Sequence, residues 1–380
     1  MKLTQIATLL NETLVPNYLG QETTIAEDLS NVVELGTAIA DLSGDECLNF
    51  AKDFVVGVAR NYMDTRKYKT ETYGLMNDAR EYGGVIQRVK ARLFDAENSP
   101  IWSLQNGTDY MDGVYRGVDY EAKIYSQDTV FMIANSIPTE MYKQFFTSAD
   151  GVRSFVAMIE STVDNSLSTQ LNSLARTTLQ QLIATSSATR TIPLLTMFNT
   201  TMGLSGDDAL TADKALYNAP FLRWSAEQIM RLRDLTQDMN EKYNDGTIQT
   251  FTPEEDLRVT LLSQFARAIE FNMEADTFHN DLVSVGEYNK INFWQNSSDE
   301  LLPDLGTSAE VVTKIGDAQP VTVNLCLGVI ADRYSAGMCA RLDKITASYI
   351  PKGDFTNYFH HVANSRFVDT RNTALVLRLV

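Results

Sequence analysis

One apolar stripe constrains this chain more than any other feature of its sequence. Large aliphatic side chains recur every three or four positions between about residues 150 and 186, at Val152, Val156, Ile159, Val163, Leu167, Leu171, Leu174 and Leu182. This spacing predicts one α-helix with a buried face. A helix of about 35 residues would be roughly 50 Å long, well beyond the usual globular helix. A coiled coil is the alternative, but Ser, Thr and Asn are too frequent here for a sustained heptad seam.

The charge of the chain is strongly negative and unevenly spread. The net charge is -17, which disfavours binding to DNA or RNA, because phosphate binding needs Lys and Arg to displace counterions. The segment from Arg60 to Arg92 is the exception, with eight Lys or Arg against four Asp or Glu. Two interpretations remain open for it: a surface that binds the acidic body of another copy, or a solvated charged face.

The same basic segment has a strand pattern. In "VIQRVKARLF", Val89 and Ala91 alternate with Arg88 and Lys90, a period of two that predicts a strand with one wet face. Turn-forming residues follow, and "YEAKIYSQDTVFMI" resumes the extended pattern. We therefore predict a long two-stranded excursion. A lone hairpin is marginally stable in water, so this one needs another surface to lie on.

The remaining sequence predicts a mixture of helices and strands, and the fold class is α+β. "SAEQIMRLRDLTQDMNEKYNDG" predicts a helix with a capping box of Ser225 and Gln228 and a stop at residues 244–246, and "TPEED" predicts Thr252 as a helix N-cap. "DLRVTLL" predicts a strand, although it could also open a helix. "VTVNLCLGVIADRY" predicts one buried strand that enters a turn, and the sequence closes on a further apolar strand. No apolar run approaches 18 residues, so no membrane span is expected.

The sequence offers little catalytic chemistry. It contains neither a phosphate-binding glycine loop nor a nucleophile elbow, and its three cysteines lack the spacing of a zinc site. The histidines number three, and His360 and His361 are adjacent, so on a strand they would point to opposite faces and not chelate one metal. We therefore predict no catalytic, cofactor or metal site.

Two pairs of charged residues are predicted to act structurally. Asp332 with Arg333, and Asp369 with Arg371, are interpreted as ion pairs that orient strand ends at a subunit contact. In the closing stretch "DFTNYFHHVANSRFVDTRNTALVLRLV", aromatic side chains are predicted to pack, and Ala374 and Val376 to face a core. The stretch is therefore interpreted as scaffold.

The order of these elements resembles the major capsid proteins of tailed bacteriophages, with the Hong Kong 97 type shell fold. The resemblance is sharpest where "LGVIADRYSAGM" precedes "FHHVANSRFVDTRNTALVLRL", and it extends to "TIAEDLSNVVELGTAIADL", "DFVVGVARNYMDTRKY" and "NDGTIQTFTPEEDLRVTLL". It covers nearly the whole chain by order of elements.

The resemblance implies a division of the chain into five segments. These are an N-terminal arm (1–63), an extended loop formed by the basic β-hairpin (64–133), a peripheral domain with the long spine helix (134–190), an axial α/β domain (191–346) and returning strands of the peripheral domain (347–380). The extended loop would lie over a neighbouring subunit.

The resemblance also implies a function. The chain would assemble with itself, as hexamers and pentamers, into an icosahedral shell that encloses double-stranded DNA without binding it specifically. Scaffolding, portal and decoration proteins are further candidate partners, and the shell would form in the host cytoplasm and become part of the virion. Candidate residues for subunit contacts are Arg66, Lys67, Lys69, Arg88, Lys90, Arg92, Asp332, Arg333, Asp369 and Arg371.

Three alternatives remain open from the sequence. The first is an encapsulin-like nanocompartment shell protein, which has the same fold and would bind cargo peptides. The second is an enzyme that uses His279 or His360. The third is a monomeric binding module, which would remain a single species in solution.

Overall fold

The computed structural model describes most of the chain beyond residue 148 and parts of the chain before it. The described residues are 11, 73–75, 86–94, 98–99, 102–109, 117–125, 128–138, 149–187, 189–243, 249–274, 287–295, 304–315 and 319–380. They contain both helices and strands, and the fold is α+β as predicted.

The helices and strands follow one another in this order along the chain: β1 (Ile86–Ala91), β2 (Tyr120–Tyr125), β3 (Asp128–Pro138), α1 (Ala149–Ser187), β4 (Thr191–Pro193), α2 (Leu194–Met202), α3 (Ala212–Ala215), α4 (Ala219–Gln237), β5 (Leu257–Leu262), α5 (Ser263–Glu274), β6 (Asn289–Ile291), α6 (Leu305–Ser308), β7 (Val311–Thr313), β8 (Val321–Val323), β9 (Cys326–Asp332), β10 (Ala336–Ile350), β11 (Phe355–Val368) and β12 (Ala374–Arg378).

Helix α1 confirms the prediction from the apolar stripe. It has 39 residues, a length of about 58 Å at the usual rise per residue. Its Thr residues cause no break because their hydroxyls donate to carbonyls four residues earlier, as Thr169 does to Asn165 and Thr178 to Leu174. These hydroxyls are therefore satisfied within the helix, whereas Asn172 Oδ1 is buried without a hydrogen-bond partner among the described residues.

The length of α1 lets it cover two different sheets. Its Leu167 and Leu171 pack against Val362 of β11 in a small cluster of their own. Further along, Leu179 and Leu182 join the main core, which includes the strands β9 and β12. One continuous helix thus connects both sheets.

The first sheet is a long antiparallel one with the order β10-β11-β3. Strands β10 and β11 pair from Ala336↔Val368 to Ile350↔Phe355, with a register shift between Ala340 and Leu342. Strand β3 pairs with β11 along its whole length and leaves its other edge unpaired by any described strand.

The second sheet has five strands in the order β4-β12-β9-β5-β6 and forms the main core. Strand β9 is buried at all of its residues, because β12 and β5 flank it and helices cover the sheet. Helices α2, α4 and α5 contribute Phe198, Phe221 and Phe265 to this core. The predicted strand at 257–262 is confirmed. The single strand predicted from Val321 is divided in two, because β8 pairs with β7 and only β9 lies buried in the five-stranded sheet.

Strands β11 and β12 of the C-terminal segment lie in different sheets. The segment 347–380 was assigned as a whole to the returning strands of the peripheral domain. Its strand β11 lies in the three-stranded sheet beside α1, but β12 pairs with β9 and β4 in the five-stranded sheet. Because a chain end with "ALVLR" is apolar at successive positions, it suits a strand buried on both faces, as here. The domain boundaries themselves stay a prediction.

Two predicted helix starts are wrong. Helix α4 begins at Ala219, where Asn218 Oδ1 accepts from Phe221 N at 2.9 Å, and Ser225 is buried within the helix. The predicted end of this helix at residues 244–246 is also wrong, because the helix ends at Gln237. At "TPEED" the residues Glu254–Asp256 form only a short 3₁₀ turn after Pro253. Thr252 does not cap it, because its hydroxyl bonds to a carboxylate far along the chain, as described below.

Among the described helices, none combines the length and the apolar character that crossing a membrane requires.

A glycine in the central strand gives a direct test of this packing. A Cβ added at Gly328 would lie 2.6 Å from Leu261 Cδ2 and 2.9 Å from the carbonyl oxygen of Thr260. We expect Gly328→Ala to lower the free energy of unfolding by about 1–3 kcal/mol through overpacking. Urea denaturation of the unassembled protein measures it.

The matched control is Gly306→Ala, whose added Cβ would have its nearest neighbour at an ordinary 3.6 Å. An unchanged stability of Gly328→Ala would contradict the close approach of β9 and β5.

Candidate assembly interface

The hairpin of β1 and β2 has two faces of opposite character. The strands pair antiparallel, with Gln87 opposite Ile124, Val89 opposite Ala122 and Ala91 opposite Tyr120. These six residues share one face, because directly paired residues point to the same side of a sheet. Val89 is 57%, Ile124 64% and Tyr120 63% exposed, so this outer face is apolar and uncovered.

The basic residues of the hairpin lie on the other side, the inner face. Arg88 and Lys90 are partly buried there, although the sequence predicted a wet basic face. Ile86 and Tyr125 at the base of the hairpin pack against Cys339 and Phe367 of the three-stranded sheet. The alternation was predicted correctly, but the wet and covered sides are reversed.

The inner face contacts two turns of the same chain. One turn, residues 332–335, connects β9 to β10, and the other, residues 369–373, connects β11 to β12. Asp369 N donates to Ser335 O at 2.6 Å, and Ser335 Oγ donates to Thr373 O at 2.6 Å. Asn372 Nδ2 donates to Tyr334 O at 2.9 Å. The two turns are therefore bound to each other and form one platform.

Asp369 and Arg371 form the predicted ion pair at the centre of this platform. Arg371 Nε and Nη2 donate to the two carboxylate oxygens of Asp369, each at 2.9 Å. Burial alone would raise the pKa of Asp369, but the hydrogen bonds and charge of Arg371 outweigh it and hold the pKa below its usual range. Asp369 is therefore charged, and Arg371 is held in one orientation.

Arg371 also reaches the hairpin. Its Nη1 donates to Glu121 O at 3.2 Å and its Nη2 to Arg88 O at 3.3 Å, so it contacts the backbone of both strands. Its Nη1 lies 3.9 Å from the carboxylate of Glu121. One guanidinium thus joins the ion pair to the hairpin.

The hairpin in turn donates to the platform. Arg88 Nη1 donates to Tyr334 O, and its guanidinium carbon lies 5.0 Å and 5.1 Å from the ring centres of Tyr334 and Phe367. Lys90 Nζ donates to Arg371 O at 2.8 Å. Burial lowers the pKa of Lys90 to about 8, an effect that the nearby carboxylates Asp369 and Asp332 offset only in part.

Asp332 is held by hydrogen bonds instead of the predicted ion pair with Arg333. Thr252 Oγ1 donates to its Oδ2 at 2.9 Å and Tyr334 N to its Oδ1 at 2.7 Å. Burial raises the pKa of Asp332, and these hydrogen bonds oppose the shift. Arg333 points its guanidinium toward the Tyr334 ring, at 6.0 Å.

Five of the predicted contact residues therefore meet at one place: Arg88, Lys90, Asp332, Asp369 and Arg371. Arg333 lies beside them, whereas Arg92 is exposed further along the hairpin. Arg66, Lys67 and Lys69 lie outside the described residues. The contacts seen are within one chain, and a role for these residues at a subunit contact stays a prediction.

The groups that bind the cations of this cluster had not been predicted from the sequence. They are the backbone carbonyls of Arg88, Glu121, Tyr334 and Arg371 and the rings of Tyr334 and Phe367. Carbonyl acceptors have no sequence signal. The spacing of Asp369 and Arg371 was the only clue available.

The histidines do not form a site in the described part of the chain. His360 and His361 lie on β11 and point to opposite faces, as expected on a strand. His360 is only 2% exposed, so a substrate cannot reach it in this structure, and His361 Nε2 lies 3.0 Å from Thr346 Oγ1. The described residues include no cluster of three or more potential metal-ligating side chains. His279 lies outside the described residues.

Two solved phage structures contain chains with a similar fold. A chain from the capsid structure of Staphylococcus phage Andhra matches with a TM-score of 0.53 and 8% identity, over 83% of this chain and 84% of that chain. A chain from the structure of the head fibre and inner core protein gp22 of native bacteriophage P68 matches with a TM-score of 0.50 and 11% identity, over 80% and 83%. At such identities the likeness shows the fold alone, which is the Hong Kong 97 type of tailed-phage capsid proteins.

The sequence itself identifies the family. The family model for the Phi29-like phage major capsid protein matches residues 12–371. The chain therefore belongs to that family, and it is a structural protein of the capsid shell. A search of curated proteins found no significant match.

The lowered pKa of Lys90 predicts a pH dependence of stability. Between pH values of about 8 and 10.5 the folded chain holds the proton of Lys90 less than the unfolded chain does, so this group makes stability rise with pH there. Below about 8 both states are protonated and the contribution is constant. We expect urea denaturation at pH 8 and pH 10 to show a larger gain for the wild type than for Lys90→Met.

Lys123→Met, at an exposed position on the same hairpin, serves as the control and should gain as much as the wild type. Equal pH dependence in the wild type and Lys90→Met would contradict the burial of the Lys90 amine.

Proposed function

We propose that copies of this chain form the shell as hexamers and pentamers, and that each copy lays the outer face of its hairpin on a neighbour. The proposal rests on one observation: the apolar face of the hairpin is exposed and its basic face is covered, the opposite of the sequence prediction. The charged side is occupied by the chain's own turns, whereas Val89, Ile124 and Tyr120 are uncovered. Burying apolar side chains of this size contributes roughly 1.5–3 kcal/mol each.

Further exposed apolar residues follow strand β1 in the chain. Leu93 and Phe94 follow β1, and the loop beyond contains Leu104 and Trp102, the latter 95% exposed. Large contiguous apolar patches are uncommon on monomeric proteins and mark interaction sites. This supports a contact that forms between copies. It also speaks against a monomeric binding module.

The free edge of β3 has the character expected of a receiving surface. Val130 and Met132 are more than half exposed on this edge strand. An open groove runs beside it, where β3 faces Asn165, Thr169 and Gln170 of α1. An uncovered strand edge readily pairs with another chain. We propose that the hairpin of one copy lies along this edge of the next.

The charges fit a shell that encloses double-stranded DNA without binding it specifically. The net charge of the chain is -17, and Arg88, Lys90 and Arg371 are engaged by carbonyls and carboxylates of the chain itself. Cations used in this way are not available to phosphates, whose binding depends on them. Scaffolding, portal and decoration proteins are proposed as further partners, and assembly is proposed to take place in the host cytoplasm before the shell becomes part of the virion.

The first test places charge on the outer face. We expect Val89→Asp/Ile124→Asp to abolish shell formation while the unassembled protein keeps its stability, because both side chains are exposed in the single chain. Negative-stain microscopy and sedimentation follow assembly, and urea denaturation follows stability. Val89→Ile/Ile124→Val, which retains the apolar face, should assemble normally. Shells formed by the charged variant would refute the contact.

A second pair of substitutions tests the receiving edge separately. Val130→Asp/Met132→Asp should also block assembly, since both residues are exposed on the β3 edge. Normal shells from this variant, together with failure of the hairpin variant, would show that the hairpin lies on another surface of the neighbour.

A further inference from the structure

We propose that Arg371 is the positioning residue of a latch, formed with Arg88 and Lys90, that fixes the direction of the hairpin on the body of the chain. The consequence for assembly rests on the proposed function, because a fixed direction matters if the outer face must meet a neighbour. The latch itself is a property of the single chain and can be tested there.

The hairpin needs such a device because backbone pairing does not supply one. Strands β1 and β2 pair only with each other among the described strands. No backbone hydrogen bond joins them to the rest of the described chain, and the bond from Arg92 N to Asp119 O is internal to the hairpin. A two-stranded hairpin is marginally stable by itself. Side-chain contacts must therefore hold it in place.

The apolar contacts at the base provide an anchor but little direction. Ile86 and Tyr125 pack on Cys339 and Phe367 at one end of the paired strands, with the Tyr125 and Phe367 ring centres 5.9 Å apart. Apolar packing is non-directional. An anchor at one end leaves the rest of the hairpin free to swing about it.

Arg371 adds contacts away from this anchor and on both strands. It donates to Arg88 O of β1 and to Glu121 O of β2. Glu121 is paired with Lys90, which lies two residues after Arg88 on β1. A group that holds one carbonyl on each strand fixes the rotation of the hairpin as well as its distance. The bidentate bond to Asp369 fixes the guanidinium itself.

The contacts also run in the opposite direction. Arg88 and Lys90 extend from β1 to the carbonyls of Tyr334 and Arg371, one on each turn of the platform. Cations of the hairpin thus donate to carbonyls of the two turns, while Arg371 of one turn donates to carbonyls of the hairpin. Hydrogen bonds to charged groups are stronger and more geometrically specific than neutral ones, so the set defines one docked direction.

The fork geometry of arginine makes the proposal testable without unfolding the chain. Arg371 bonds Asp369 and both hairpin carbonyls at once, which the single ammonium of a lysine cannot do. Arg371→Lys keeps a positive charge beside the buried Asp369 but loses the grip on the two strands. Arg88→Ala weakens the latch from the hairpin side and leaves the ion pair intact.

Hydrogen–deuterium exchange of the unassembled full-length protein is the test. We expect amides of β1 and β2 to exchange about tenfold faster in Arg371→Lys and in Arg88→Ala, with β5 and β9 unchanged, because only the hairpin loses its support. Arg92→Ala is the matched control, since Arg92 is exposed on the same hairpin beyond the latch, and it should exchange like the wild type.

Hairpin exchange that stays at the wild-type rate in both variants would overturn the latch. So would an equal acceleration of hairpin and core strands, because this would indicate general destabilisation. If exchange in the core strands rises in Arg371→Lys but not in Arg88→Ala, the latch is tested by Arg88→Ala alone: faster hairpin exchange in that variant supports the latch, and the wild-type rate overturns it. These outcomes are independent of assembly, so failure of the latch is distinguishable from failure of the proposed contact between copies.

Discussion

Helix α1 buries one apolar stripe against two sheets, and the relative position of the two sheets depends on this packing. Leu167 and Leu171 belong to the three-stranded sheet's cluster, whereas Leu179 and Leu182 belong to the main core. Because one rigid helix packs on both, the two sheets are held in a defined relation. The turns at 332–335 and 369–373 connect strands of one sheet to strands of the other, so the platform that they form lies at this junction.

The hairpin is attached at that junction through its inner face, and its outer face is therefore directed away from the body of the chain. Three cations and their carbonyl and carboxylate partners occupy the inner face, whereas the apolar side chains of the outer face are left exposed by the part of the chain that the structure describes. For a monomer this arrangement would be unfavourable. In a shell protein it would be useful: we propose that charge sets the direction of the hairpin and that apolar burial supplies affinity when a neighbouring copy covers the outer face.

The sequence predicted what depends on local periodicity and missed what depends on distant partners. The single long helix was predicted because its stripe has one period, although the predicted length of about 35 residues falls short of the observed 39. The period of β1 was also correct, but a period of two cannot tell which face is covered. That choice depends on carbonyls at Tyr334 and Arg371, about 250 to 280 residues away in sequence. Similarly, Thr252 was taken for a helix cap because its partner, Asp332, is 80 residues away.

The central claim is that a second copy covers the outer face of the hairpin. Hydroxyl-radical footprinting of Tyr120 in the wild-type protein tests it most directly, because this ring is exposed in the single chain and needs no substitution to be detected. The account predicts rapid modification of Tyr120 in unassembled protein and strong protection in assembled shells. Equal modification of Tyr120 in both states, in particles confirmed as closed by microscopy, would contradict it.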